Sequence, residues 1–291
     1  MNRIAILIIN YNGYKDTCEC IESIPKNDSN EIVVIDNASK EKEGEKIKER
    51  FPNIHLIQSN KNIGFAGANN LGIKYAINNK FDYVLLLNND TIIEKDMIDE
   101  LIKGEENDII TVPKMCYYSN PSVIWYAGGY IDRFKGDAKH LGLNEIEKKH
   151  NKIKYCNFAT GCCMLINLAL IKKIGYMNEE YFMYCEDVDY CIKMIENNIK
   201  IKYVPTAKLL HKVSSSTGGE MSPFSTYYYT RNRFLLIKNH NEFFFKTAFL
   251  YTLLTRKLRI FIYRNKKNTI YKYIEKAIQD SNKNISGKIN L

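Results

Sequence analysis

Short aliphatic runs that end on small polar residues alternate, over the first half of the chain, with stretches whose apolar positions recur at helical spacing. Residues 4–9 form the first run and stop on Asn10-Tyr11-Asn12-Gly13, a turn signal. Helical spacing over 14–24 follows and ends before Pro25. A second run, 31–35, stops on Asp36-Asn37-Ala38-Ser39; a charged helix then reaches about residue 51, where Pro52-Asn53 breaks it. Residues 54–57 read as a short strand, 64–77 as a helix, and 83–87 as a buried strand that stops on Asn88-Asn89-Asp90. Repeated strand–helix units predict an α/β fold, with a mostly parallel central sheet flanked by helices.

The pattern continues less regularly. A helix over 94–103 and a strand over 109–113 are expected, followed at 114–155 by loops or antiparallel strands over the site. Residues 161–166 read as a strand, 167–174 as a helix capped by Gly175, and 186–197 as a helix. A strand over 200–204 leads through Pro205 to Leu209, Leu210 and His211. Beyond it the character changes. Ser214-Ser215-Ser216-Thr217-Gly218-Gly219 reads as a mobile loop, and an aromatic and basic stretch follows. The expected division is therefore a catalytic α/β domain over 1–212 and a helical, basic C-terminal region over 213–291.

Charge sharpens this division. Residues 200–291 hold 18 Lys and Arg against 4 Asp and Glu, a net +14, whereas the whole chain carries +9. Such asymmetry points to an anionic partner surface, membrane lipid or nucleic acid. Tyr227-Tyr228-Tyr229, Arg231, Arg233 and Phe243-Phe244-Phe245 mix with cations as in an interfacial helix. The longest uncharged run there, 247–255, has nine residues, against about 20 needed to span a bilayer. The alternative is that Phe243 to Phe245 pack against the catalytic domain or a second subunit. No nucleic-acid-binding motif accompanies the basic residues, so nucleic acid is not the expected partner.

The remaining composition is that of a globular chain of 291 residues with 45% hydrophobic content. The apolar run at 4–9 is too short for a secretory leader. Eight cysteines show no C-x-x-C spacing and read as reduced, buried thiols. The expectation is a cytoplasmic chain, peripheral on the inner face of the cell membrane.

Candidate chemistry gathers at strand ends, where open α/β sheets bind ligands. Tyr11 and Asn12 follow the first strand, Asp36 and Asn37 the second, and Asn88, Asn89 and Asp90 the fourth. Asp36 suits the imide N–H of a uracil or thymine, or ribose hydroxyls. Asp90 suits a hydrated divalent cation carrying a nucleotide diphosphate, and His211 suits a neutral imidazole ligand beside it. Glu186, Asp187 and Asp189 crowd a helix start. They read either as capping carboxylates or as the source of a general base. A nucleotidyltransferase would use a similar sheet and acidic site, but Tyr11-Asn12-Gly13 offers no triphosphate loop.

The order of Ile9-Asn10-Tyr11-Asn12, Val34-Ile35-Asp36-Asn37-Ala38-Ser39, Asn62-Ile63-Gly64-Phe65-Ala66-Gly67-Ala68-Asn69-Asn70, Leu87-Asn88-Asn89-Asp90 and Glu186-Asp187-Val188-Asp189, with His211, resembles glycosyltransferase family 2. The likeness covers roughly residues 3–240 and is greatest to its rhamnosyltransferase and galactofuranosyltransferase-like branch. It implies a GT-A fold and inverting, metal-dependent transfer from a nucleotide-diphosphate sugar, a dTDP- or UDP-sugar such as rhamnose. The implied acceptor is a hydroxyl of a glycan or lipid-linked acceptor in cell-surface polysaccharide or glycoconjugate synthesis. By the same resemblance Tyr11, Asp36 and Asn37 line the base and ribose pocket, Asn88 lies near the ribose and diphosphate, and Asn12, Gly64 and Asn89 belong to the nucleotide-sugar site. Asp90 and His211 hold Mg²⁺ or Mn²⁺, Asp187 is the catalytic base, and Glu186 is its neighbour in the acceptor site. Asn88 stands where much of the family has Asp, which leaves one carboxylate in the D-x-D position. Gly64 allows either a tight approach to the diphosphate or a helix start.

Overall fold

The computed structural model describes residues 2–213, 222–266 and 268–291; the Ser214 to Gly219 segment lies outside them. The first half follows the predicted alternation. Strands β1 (Ile4–Asn10), β2 (Asn30–Asp36), β3 (His55–Gln58) and β4 (Tyr83–Asn88) are linked by helices α1 (Tyr14–Ser23), α2 (Glu43–Arg50) and α3 (Gly64–Asn78). These four strands are parallel in the order β3-β2-β1-β4. Their aliphatic runs are continuous rather than alternating because both faces of the sheet are covered. Ile6, Ile8, Val34 and Leu85 are accordingly fully buried.

The second half makes the sheet mixed. It contains β5 (Thr91–Ile93), α4 (Met97–Lys103), β6 (Ile109–Tyr117), β7 (Asn120–Tyr126), β8 (Gly129–Asp132), β9 (Asp137–His140), β10 (Lys154–Cys156) and β11 (Cys163–Asn167). Next come α5 (Leu168–Ile174), α6 (Glu186–Glu196) and β12 (Lys200–His211). The main path runs β10-β12-β6-β11-β4-β1-β2-β3, with β5 on β12 and β7 on β6. β11 lies antiparallel to both β4 and β6, while β6 and β12 are parallel. Residues 114–155, expected as loops or antiparallel strands, contain both: β7 pairs antiparallel with β6, β10 with β12, and β8 with β9 as a separate two-stranded ribbon, while most of 141–153 is turn or bend.

Several boundaries differ from the sequence pattern; the strand expected over 109–113, for one, runs on to Tyr117. The strand expected to stop at Val204 continues to His211, its register shifting between Val204 and Lys208 where Pro205 interrupts it. The helix expected from residue 94 begins at Met97, because Thr91–Ile93 pair with Leu209–His211 instead.

Three helices complete the described chain: α7 (Pro223–Asn239), α8 (Lys246–Asn265) and α9 (Ile270–Asn282). α7 is not a surface element. Tyr227, Tyr228, Arg231 and Arg233 are all buried, so they form no part of a basic surface. Phe244 joins the main core, whereas Phe245 is exposed. α9 packs on α7 and α8. Among the described residues, no helix is long and apolar enough to cross a membrane.

Candidate active site

The carboxyl ends of β1, β2 and β4, the end of β12 and the start of α6 surround a cleft of about 1030 Å³. Tyr11, Asn37, Asn88, Asn89 and Asp90 line it, as do Glu186, Asp187 and His211. Eight of the expected residues thus share one space, while Asn12, Asp36 and Gly64 are not among its lining. A smaller depression between Tyr14, Glu43 and Arg50 contains no strand end.

The three residues outside the lining build the wall. Asp36 is buried; its Oδ1 accepts from the Asn10 amide at 2.9 Å and its Oδ2 from the Ser39 N–H at 3.3 Å. Asn12 adopts a positive φ of 52° and accepts from the Lys40 N–H at 2.9 Å. Together these bonds tie the loop after β1 to the loop after β2. Asn37 carries the link onward: its Oδ1 accepts from the Ile63 N–H at 2.9 Å. Gly64 starts α3 with φ of 80°, and a Cβ there would lie 2.3 Å from the Phe182 carbonyl oxygen. The close approach that requires glycine is therefore that of the Phe182 loop, whose carbonyl accepts from the Phe65 N–H at 2.9 Å.

Asp90 and His211, 121 positions apart in sequence, meet because Thr91 pairs with His211. His211 Nε2 lies 3.2 Å from Asp90 Oδ1, and both side chains are buried. Yet, among the described residues, Asp90 Oδ1 and His211 Nδ1 have no hydrogen-bond partner. Buried polar atoms are rarely left so. Two inward-facing donors, one carboxylate and one imidazole, suit a divalent cation that takes its remaining ligands from a diphosphate and water. Among the described residues no third His, Cys, Asp or Glu joins them.

Sequence reasoning missed Trp125 and His140, which also line the cleft. The indole packs edge-on against His211, with ring centroids 4.3 Å apart, and against His140 at 4.5 Å. Burial pushes His140 down to about 4, so it is neutral at physiological pH. The available signal was that Trp125 is the chain's single tryptophan.

The carboxylates at the start of α6 occupy distinct surroundings. Asp187 Oδ2 accepts from the Gly161 N–H at 3.1 Å and Oδ1 from the Val188 N–H at 2.8 Å. Burial raises its pKa despite those bonds. Burial, and then the charge of Asp187, push Glu186 up to about 8, and its Oε2 has no hydrogen-bond partner among the described residues. Asp189 belongs to the scaffold, accepting from the Tyr181 hydroxyl at 3.0 Å with His240 Nε2 at 2.8 Å.

The chain reaches this pair through a strained turn. Phe182, Tyr184 and Cys185 have φ of 63°, 68° and 73°. Such backbone persists only when its surroundings over-determine it. α7 supplies the restraint: Asn232 Nδ2 lies 2.7 Å from the Tyr181 and Met183 carbonyls and 2.9 Å from that of Tyr184. Arg231 adds a bond from Nη2 to the Tyr181 carbonyl at 3.1 Å. The C-terminal helices also enter the cleft directly through Tyr228, Tyr229, Arg259 and Tyr263. Nearby, burial lowers Arg256 to about 10, and its Nε and Nη2 have no hydrogen-bond partner among the described residues.

Comparison with known proteins gives this geometry a family. The glycosyl transferase family 2 model matches residues 5–175. The chain is 28% identical over 243 residues to the low-salt glycan biosynthesis hexosyltransferase Agl10 of Haloferax volcanii, covering 81% of this chain and 75% of that protein. It is 24% identical over 255 residues to the dTDP-rhamnosyl transferase RfbF of Shigella flexneri, covering 82% and 81%. Among solved structures it is similar to GalNAc-T7 with UDP, GalNAc and Mn²⁺, with TM-score 0.63 and 19% identity. That likeness covers 82% of this chain and 48% of GalNAc-T7. At this identity it speaks to the fold alone, which is GT-A-like.

Proposed function

The chain belongs to glycosyltransferase family 2, and we propose that it is an inverting, metal-assisted enzyme that moves a sugar from a dTDP- or UDP-linked donor to a hydroxyl of a glycan or lipid-linked acceptor. Rhamnose is the favoured sugar, because one similar protein is named a dTDP-rhamnosyl transferase. The acceptor would belong to cell-surface polysaccharide or glycoconjugate synthesis. The observation that carries this reading is the single cleft shared by Asp90 and His211 with Glu186 and Asp187.

In this reading Tyr11, Asn37, Asn88 and Asn89 receive the nucleotide and diphosphate, with Asp36 and Asn12 holding their loops in place. The acceptor hydroxyl approaches Asp187, which takes its proton as the oxygen bonds to the anomeric carbon and the bond to the diphosphate breaks. Two backbone N–H bonds orient Asp187, while burial makes it a stronger base than a solvated aspartate. Glu186 keeps its proton at neutral pH and offers it to an acceptor oxygen. A divalent ion held by Asp90 and His211 would offset the charge that develops on the departing diphosphate.

A panel of dTDP-, UDP- and GDP-sugars with Mg²⁺ or Mn²⁺ tests the proposal. One dTDP- or UDP-sugar should raise the melting temperature in a metal-dependent way and support transfer to a glycan hydroxyl with inverted anomeric configuration. A retained configuration, or stabilisation by a GDP-sugar alone, would overturn it.

A further inference from the structure

Helix α8 turns different faces to different surroundings. Ala248, Thr252 and Arg256 are buried, and Arg259 and Tyr263 reach the cleft. On the far side Leu250, Leu254, Leu258 and Phe261 are 55%, 57%, 59% and 64% exposed. Spacings of four, four and three residues align them as one stripe, roughly 16 Å long at 1.5 Å per residue. Phe134, 61% exposed, stacks on the exposed Phe245 at the head of the helix, with ring centroids 4.3 Å apart. A contiguous apolar strip of this kind marks an interaction site.

We propose that this face of α8 seats the enzyme on an anionic lipid surface. Charge selects the occupant. Residues 246–266 hold six Lys and Arg and no carboxylate. Lys246, Lys257 and Arg264 fall on one flank of the stripe by helical periodicity, and all three are exposed. Arg264 pairs with Glu275, which leaves Lys246 and Lys257 to meet phosphates. A second copy docked through the same patch would bring like charges together, since a two-fold interface is self-complementary. An anionic bilayer satisfies both the leucines and the lysines. The helix is not apolar enough to cross the membrane, so it lies in the surface plane.

This placement extends the transferase reading and, for the acceptor, rests on it. Arg259 and Tyr263 line the cleft from the helix whose opposite side meets lipid. One helix thickness, roughly 10 Å, then separates the lipid face from the cleft, so a lipid-linked acceptor would be held close to the site.

The test uses the full chain and vesicles, without donor or acceptor. Co-sedimentation is measured with equal parts phosphatidylcholine and phosphatidylglycerol, and with phosphatidylcholine alone. Binding should require the anionic lipid, weaken with salt, and fall by about ten-fold or more in the triple variant Leu250→Ser, Leu254→Ser, Leu258→Ser. Lys246→Gln with Lys257→Gln should weaken it without altering the apolar stripe. Far-ultraviolet circular dichroism and a cooperative melting transition, equal in wild type and variants, establish that they remain folded. Absent binding at low salt, equal binding by the triple variant, or a dimer that the triple variant abolishes while vesicle binding persists would each overturn the proposal. These outcomes are read independently of transfer, so failure of the donor panel would refute the transferase reading and leave this one standing.

Discussion

The side-chain amide nitrogen of Asn232 lies 2.7 Å from the carbonyl oxygen of Met183, three residues before Glu186. A helix near the C-terminal end thereby holds the turn that delivers the candidate base. Asn232→Ala would remove one donor from the Tyr181, Met183 and Tyr184 carbonyls, of which Tyr181 keeps Arg231. The expected cost is about 1–3 kcal/mol of stability, together with a fall in kcat larger than any change in donor KM. Urea midpoints and steady-state kinetics read the two effects. Unchanged kcat in a destabilised variant would show that the turn does not need this restraint for catalysis.

Metal binding can be followed without turnover. Trp125 is the sole tryptophan and packs on His211, so its fluorescence reports on the Asp90–His211 pair. Mn²⁺ added with a nucleoside diphosphate should quench it saturably in the wild type. Asp90→Ala and His211→Ala should lose that saturation, and chelator should abolish transfer. Full activity in excess chelator would exclude the metal role.

The two adjacent carboxylates separate by substitution. Asp187→Asn preserves size but cannot accept a proton, and turnover should fall by about 10²–10⁴-fold with donor affinity little altered. Glu186→Gln should be milder, because glutamine can still donate a hydrogen bond. The reverse order of severity would transfer the base role to Glu186.

Stability should fall as pH rises. Folded Glu186 keeps its proton up to about 8, whereas unfolded it ionises in the ordinary carboxylate range. Between those values the folded chain binds the extra proton, so the stabilisation is complete below the unfolded pKa and lost through the folded one. Melting temperature should therefore drop between about pH 5 and about pH 9 more steeply in wild type than in Glu186→Gln. Parallel curves would show that Glu186 does not carry this linkage.

Much of the site was legible in the chain because strand ends announce themselves locally. An aliphatic run followed by Asn and Asp marks where β1, β2 and β4 stop, and in a parallel sheet those ends share one edge. Tyr11, Asn37, Asn88 and Asp90 could be grouped on that ground alone. Asp36 and Gly64 could be singled out as significant, yet not as wall residues, since the Asn10 amide and the Phe182 carbonyl they accommodate approach from elsewhere.

Other features depended on long-range pairing. The sequence by itself determined the alternating α/β order, the identities of Asp90 and His211, and the crowding of carboxylates at 186–189. Only the tertiary structure decided that β5 pairs with the far end of β12, bringing the imidazole to the aspartate. It also decided that the basic, aromatic residues of α7 are interior. Arg231 and Arg233 are buried because carbonyls of Tyr181, Gly287, Gly136 and Lys135 receive their guanidinium protons. A local pattern records which donors a segment carries. Whether they face water or a buried acceptor depends on where the rest of the chain puts its carbonyls, and burying a cation is tolerable only when those acceptors are in place.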